Sequence, residues 1–488
     1  MPPRKRWIAM TGDLVVNTVP GETRVALMEG ERPCEILILR RDTGTASGDI
    51  YLGRVKALKS ALGAAFVDLG ADRDGFLPLK GEDAPHEGEA LLCQVTREAV
   101  GDKGARLTTH ISLGSCHLAL LPTGDGIRVS RRIEDRAECE RLFGLMANLT
   151  TGEDAGGGYV LRTAASGAEA KVLEAEAGLL QGLWDEVLER REGVEPPARL
   201  YRDSGTIESA LRGWGGKAGR ILMDSGETLE TARAFCERHM PEAASRLEHH
   251  KGEPLFELYG VEAELEQALE RRIDLPGGGA LTFDAAEALT AIDVDSARHA
   301  TRRGQADTIL ETNLEAAREI AHQIRLRALG GIIVIDFIRM RESEDRNRVV
   351  AALRDGLCGD SLARVFGMTR AGLVEVSRRR RRAPLAEFLT EPRGACGAAA
   401  GSKTPRAVGY DILRALMREQ AARPNSVWNV TASAEVTVEL RDGMADDLKK
   451  LEAAIGATVT LAGDDDFTRE RFDMAPGGVS GESSGENS

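Results

Sequence analysis

A carboxylate inside an apolar run limits what this chain can fold into more than any other feature. In 329-LGGIIVIDFIRM-340, Asp336 follows Gly-Gly and a series of β-branched residues. Runs of this kind form strands buried on both faces of a sheet, so Asp336 is expected to be an acid in an apolar setting. Leaving an ionised carboxylate there unpaired costs on the order of several kcal/mol. A positive side chain, backbone N–H groups or a metal ion must therefore compensate it.

The preceding segment supplies the context. An apolar strand, 288-ALTAIDVDS-296, is followed by a polar loop and a helix expected over 307–329. The helix stripe runs through Leu310, Leu314, Ala317, Ala321 and Ile324, with Gly330 as its stop. Strand, helix and strand form a βαβ unit whose strands run parallel through a right-handed crossover. Asp293 and Asp336 then both fall near the carboxyl ends of their strands, the edge at which open α/β sheets bind ligands. Asp295 shares the side of Asp293 by the strand period. Three converging carboxylates suit a hard divalent cation such as Mg²⁺ that keeps several waters. Spacing alone leaves open the alternatives that Asp336 accepts backbone N–H bonds or pairs with Arg325 or Arg327.

The chain has 488 residues, enough for several domains. Its balance of 42% hydrophobic and 29% charged residues suits a soluble globular protein, and no apolar run reaches the roughly 20 residues needed to span a bilayer. No membrane partner is expected. The formal net charge of −14 argues only mildly against nucleic acid, because local patches decide such binding. Basic residues cluster at Arg4-Lys5-Arg6 and from Arg378 to Arg382; the latter run is either a contact to an RNA backbone or a solvated charge run. The seven cysteines are scattered without CxxC spacing, a pattern that suits a reducing cytoplasm, and the apolar stretch from Trp7 to Met10 is too short to be expected as a signal peptide.

Elsewhere, 13–45 reads as three strands, and 49–113 as five short strands suggesting a small barrel of the oligonucleotide-binding type. Phe66 and Phe76 are either its core or stacking platforms, with Lys103 a possible backbone contact. The middle of the chain alternates helices (168–191, 228–240) with strands (158–163, 219–224). Further on, 408–421 reads as a helix and 428–440 as a strand, and an acidic, Gly/Ser-rich tail closes the chain. The adjacent His249 and His250 read as a solvated helix end.

The blocks 292-IDVDS-296, 311-ETNLEAAREIAHQIRLRALGGIIVIDFIRM-340 and 372-GLVEVSRRR-380 closely resemble the catalytic region of the ribonuclease E/G family. The stretch 49-DIYLGRVKALKSALGAAFVDLGADRDGFLPL-79 resembles that family's RNA-binding barrel. The resemblance extends to about residue 475 and implies an α/β multidomain chain. Its parts are an RNase H-like domain in two pieces (1–45 and 205–268), an inserted OB-type barrel (46–113) and a 5′-end sensor region (114–204). A DNase I-like catalytic domain (269–390), a degenerate zinc-link (391–403), a small C-terminal α+β domain (404–475) and a disordered tail (476–488) follow.

The resemblance also implies roles. Asp293 and Asp336 match the catalytic, metal-binding aspartates, and Asp295 stands in the metal shell where the family usually has Asn. Phe66, Phe76 and Lys103 match residues that hold single-stranded RNA. Arg162 and Thr163 match the pocket for the RNA's 5′-monophosphate, completed by the main chain at Val129. An arginine beside a hydroxyl suits that ligand, since guanidinium binds phosphate through two N–H bonds. The implied activity is Mg²⁺-dependent cleavage of single-stranded RNA in rRNA and mRNA processing and decay, leaving 5′-phosphate and 3′-hydroxyl ends.

Two departures qualify this. The family's CPxC motif is reduced in 391-EPRGACGAAAG-401 to Cys396, with Arg393 at the place of the first cysteine. Two thiolates per dimer fall short of the four a structural zinc needs, so zinc is expected to be absent and any homodimer to form without sharing it. Arg339 also replaces an acid of the family pattern. The competing reading is an inactive RNA-binding protein of the same ancestry; retention of both Asp293 and Asp336 favours the enzyme.

Overall fold

The computed structural model describes residues 12–40, 45–71, 73–79, 84–99, 104–149, 157–203, 206–216, 218–296, 305–380, 382–391 and 401–477. Lys103, Arg393, Cys396, the basic start and the tail from 478 lie outside them. The chain divides into two compact units, residues 1–16, 24–30 and 37–251, and residues 17–23, 31–36 and 252–488.

In the first unit, the strands Ile50–Lys59, Ala64–Asp68, Gly75–Pro78, Arg106–Thr108 and Ala90–Arg97 pair in that order, and the last pairs back onto the first to close a five-stranded barrel. Alternation fills it: Tyr51, Val55, Ala65, Val67, Leu77, Cys93, Val95 and Leu107 point inward as one core. A four-stranded sheet follows in the order Ile127–Val129, Gly158–Leu161, Leu118–Leu121, Leu113–Gly114. The helices Arg136–Leu149 and Ala170–Glu192 pack on it through Leu142, Met146, Leu173, Leu180 and Leu183. In a third sheet, Leu247–His249 pairs in parallel with Ile221–Met223, which pairs in parallel with Leu14, Val15 and Val16. Its core, in the first unit, joins Leu14, Val16 and Val25 to Leu229 and Ala232 of the helix Gly226–His239.

In the second unit, six strands form a mixed sheet in the order Arg272–Asp274, Ala280–Ala285, Leu289–Asp295, Gly331–Asp336, Leu373–Arg378, Ala363–Met368. Only Leu289–Asp295 and Gly331–Asp336 pair in parallel, linked by the helix Gln305–Leu326 as the βαβ reading expects. Gly331 has a φ of 99°, and a Cβ on Gly330 would stand 2.5 Å from the Arg380 side chain, so both glycines are needed where the helix turns into the strand. Towards the C-terminal end of this unit, the helix Pro405–Ala422 packs over a sheet of order Thr458–Gly463, Val427–Ala432, Phe472–Pro476.

Three expectations are corrected here. The strand Gly331–Asp336 is buried on one face only: Ile333 and Ile335 are fully buried against Ile320, Ile324, Val349 and Leu353, while Ile332 on the other face is 54% exposed. Both covering helices, Gln305–Leu326 and Ser343–Gly356, lie on one side, so Asp336 faces the open side and is exposed. The strand expected over 428–440 stops at Ala432; 434–438 is helical, because Val436 and Leu440, four residues apart, both enter the domain core. Nor is the arginine run a uniform basic surface: Arg378 is buried, with its Nε 2.6 Å from Asp360 and Nη1 donating to Leu329 O at 2.9 Å, while Arg379 and Arg380 are exposed.

One-sided burial predicts unequal costs within one strand. Ile333→Ala should destabilise the protein by about 2–5 kcal/mol, and the adjacent Ile332→Ala by less than about 1 kcal/mol. The midpoints of denaturant unfolding test this; equal losses would mean that the open face is covered.

Candidate active site and RNA-contacting surfaces

The parallel register sets Asp293 directly beside Asp336, the last pair of the ladder. Parallel neighbours lie about 4.8 Å apart, so the two carboxylates leave adjacent strands at the carboxyl edge, on the same open face, and both are exposed. Helix Gln305–Leu326 fixes the chain just past Asp336: the buried Asn313 donates Nδ2–H to Ile338 O at 2.7 Å and accepts from Ile338 N at 3.1 Å. That amide is a polar residue in the core-facing stripe, the signal by which a sequence reading would find it.

Compensation differs among the three acids. Asp295 is half-exposed and accepts from Arg272 Nη1 at 2.7 Å, which offsets the charge that this position adds. Burial, then Asp295 and Asp336, raise Asp293 above the usual carboxylate range. The arginines named as alternatives are engaged elsewhere. Arg325 meets Glu35 at 3.6 Å; Arg327 donates to Gln323 Oε1, Glu270 O and Gln267 O and lies over the Phe283 ring at 4.0 Å. A pair of exposed hard oxygen donors whose mutual repulsion is felt at Asp293 fits a hydrated divalent cation.

On the barrel, Phe66 and Phe76 are register partners with ring centroids 6.0 Å apart at 80°, and neither belongs to the barrel core. The cross-strand row continues through Arg106, paired with Phe76, to Arg97. Both arginines are exposed and escaped the sequence reading. An outward aromatic pair flanked by guanidinium groups is the composition of a single-strand stacking surface.

In the four-stranded sheet, Val129 pairs with Leu161, so the residues after them, Ser130 and Arg162-Thr163, meet at one strand end. Ser130 N donates to Leu161 O at 2.9 Å, and the Ser130 and Thr163 hydroxyls are 3.0 Å apart. Arg162 donates its backbone N–H to His117 O at 2.8 Å and Nη1–H to Ser115 O. The three residues expected to form a phosphate pocket are thus neighbours, with Ser130 as an added hydroxyl.

Beneath them lies a buried cluster the sequence reading missed. Ligand-type atoms of Cys116, His117 and Glu176 lie within 4.8 Å of one another, a set compatible with a divalent ion. Their hydrogen bonds already join them, since His117 Nδ1 is 2.7 Å from Glu176 Oε1. Burial disfavours the His117 charge, but hydrogen bonds to Cys116 and Glu176 outweigh it and raise its pKa to about 9. Burial likewise opposes charge on Glu176, but the hydrogen bonds and charge of His117 together with the Ser115 bond outweigh it and lower its pKa.

Residues 112–381 match the ribonuclease E/G family. The chain is 35% identical to ribonuclease G of Escherichia coli K12 over 489 residues, covering 95% of this chain and 99% of that protein. The chain belongs to the ribonuclease E/G family. Ribonuclease G of Haemophilus influenzae is 34% identical over 487 residues, with the same coverage. Ribonuclease E of Escherichia coli K12 is 36% identical over 439 residues, covering 85% of this chain and 41% of that longer protein. Among the described residues no helix is long and apolar enough to cross a membrane. Family membership implies a divalent metal, and the Asp293–Asp336 pair has the donor set for it.

The His117–Glu176 pair gives a pH prediction. A histidine whose folded pKa of about 9 exceeds its ordinary 6.5 contributes stability that is complete below about pH 6.5 and lost as pH rises through about 9. His117→Asn should therefore lower the thermal midpoint more at pH 6.5 than at pH 9.5. An equal loss at both pH values would exclude an imidazolium at this position.

Proposed function

We propose that this chain cleaves single-stranded RNA by metal-assisted phosphodiester hydrolysis at Asp293 and Asp336, and that a 5′-monophosphate bound at Arg162, Thr163 and Val129 stimulates it. The protein is an endoribonuclease, a hydrolase acting on RNA. The observation carrying the reaction type is the register pair Asp293–Asp336 on an uncovered sheet face.

Asp293 and Asp336 would hold Mg²⁺, with Asp295 beside them but restrained by Arg272. A divalent ion held by these carboxylates would supply charge stabilisation to the phosphodiester and acidify an attacking water, consistent with products ending in 5′-phosphate and 3′-hydroxyl. Asn313 keeps Asp336 in place through the chain at Ile338, and the open face admits an extended strand rather than enclosing a small substrate. The row Phe66, Phe76, Arg106 and Arg97 stacks bases and meets backbone phosphates without demanding a sequence. Arg162 presents charged N–H donors and Thr163 a hydroxyl, the pairing that suits a terminal phosphate dianion.

Wild-type protein should cut a short single-stranded RNA in Mg²⁺, lose activity in EDTA and regain it on re-addition. Asp336→Asn should reduce kcat at least about 100-fold while binding RNA as wild type does. RNA binding without cleavage by the wild type would instead support an inactive RNA-binding protein. Phe66→Ala should raise KM by roughly 5- to 100-fold, the worth of one base stacked on an aromatic ring; an unchanged KM would return Phe66 to a structural role.

A further inference from the structure

Glu176 is a carboxylate on the buried stripe of the helix Ala170–Glu192, in step with Leu173, Leu179, Leu180, Leu183 and Val187. Its Oε2 accepts from Ser115 Oγ at 2.5 Å, His117 N at 2.8 Å and Leu118 N at 3.1 Å, and its Oε1 meets His117 Nδ1 at 2.7 Å. A buried carboxylate with four donors is a rigid anchor, because releasing any of them leaves a charged group under-solvated. What it clamps is the four-residue segment from Ser115 to Leu118, where the chain enters the strand Leu118–Leu121.

The carbonyls of that same segment hold Arg162. His117 O takes its backbone N–H and Ser115 O takes a guanidinium N–H, while a Cβ added to Gly114 would stand 3.5 Å from that guanidinium. Both ends of the arginine are therefore referenced to backbone atoms whose positions Glu176 sets. Phosphate recognition by guanidinium depends on alignment of its planar fork, and a long side chain held in advance loses less entropy on binding.

We infer that Glu176, acting with Ser115 and His117, is a positioning group for the guanidinium of Arg162 and sets the strength of the 5′-end response without touching RNA. This rests on the reading of Arg162 as the 5′-phosphate ligand. The carboxylate is the essential part: an amide keeps one acceptor oxygen and turns N–H groups toward existing donors, whereas aspartate keeps the charge on a shorter reach.

The test compares kcat/KM on one short RNA carrying either a 5′-monophosphate or a 5′-hydroxyl, for wild type, R162A, E176A, E176D and S115A. Glu176→Ala should lower the preference for the monophosphate about tenfold, the worth of one hydrogen bond to a charged group, through KM and with cleavage of the 5′-hydroxyl RNA unchanged. Glu176→Asp should recover part of the preference. A proportional loss on both substrates, or an unchanged preference, overturns the inference. Should Glu176→Ala fail to fold, Ser115→Ala removes one of the four bonds and should lower the same ratio by a smaller factor; an unchanged ratio again overturns it. Loss of preference in Arg162→Ala but not in the Glu176 and Ser115 variants sinks this inference alone. Wild type and Arg162→Ala that are both indifferent to the 5′ end sink the sensor reading and this inference together.

Discussion

The candidate chemistry depends on one pairing, the parallel ladder between Leu289–Asp295 and Gly331–Asp336. Because register is set by which residues enter the core, burying Ile292, Ile333 and Ile335 against the two helices obliges Asp293 and Asp336 to meet on the opposite face. A slip of one residue would bury the carboxylates and expose the isoleucines. The stability of the sheet and the placement of the site are thus one constraint. Asn313 extends it, since the amide that satisfies the backbone at Ile338 lies on the helix that covers the strands.

The opening puzzle of a buried acid dissolves in this geometry. Asp336 stays in contact with solvent because the sheet has helices on one side only, while at Asp293 burial first, and then the neighbouring Asp295 and Asp336, raise the carboxyl pKa. Asp295 adds to that rise. Arg272, two strands away in the sheet order, meets that extra carboxylate. Both residues are about half exposed, so solvent screens the pair and it contributes little to stability. Its effect is on local charge beside Asp293.

Much of the architecture was legible in periodicity. The helix stripe through Leu310 to Ile324 and the five alternating barrel segments follow directly from apolar spacing, and both elements are present. The errors share a cause: residue type was read as environment. Ile332 and Val334 made a one-sided strand look two-sided, although nothing local records which faces the helices cover. Val436 and Val438 suggested strand where core contacts impose a helix. Arg378 looked like surface charge, yet its partner Asp360 stands 18 residues away in sequence, beyond any local pattern. The roles proposed for Asp293, Asp336 and the Arg162 pocket rest on motif resemblance, because chemistry at a sheet edge leaves no periodic trace.

Arginine 162 and arginine 378 show how one side chain serves opposite ends. Around Arg378, a carboxylate and a carbonyl occupy the guanidinium directly, and the group becomes part of the core. At Arg162 the carboxylate stands one step back: Glu176 binds the backbone, and the backbone binds the arginine. A carbonyl contact orients a guanidinium and leaves its formal charge in place. Overall net charge says nothing about this distinction. A chain with 14 more acidic than basic residues can still hold single guanidinium groups in fixed orientations, because backbone carbonyls orient them as well as carboxylates do.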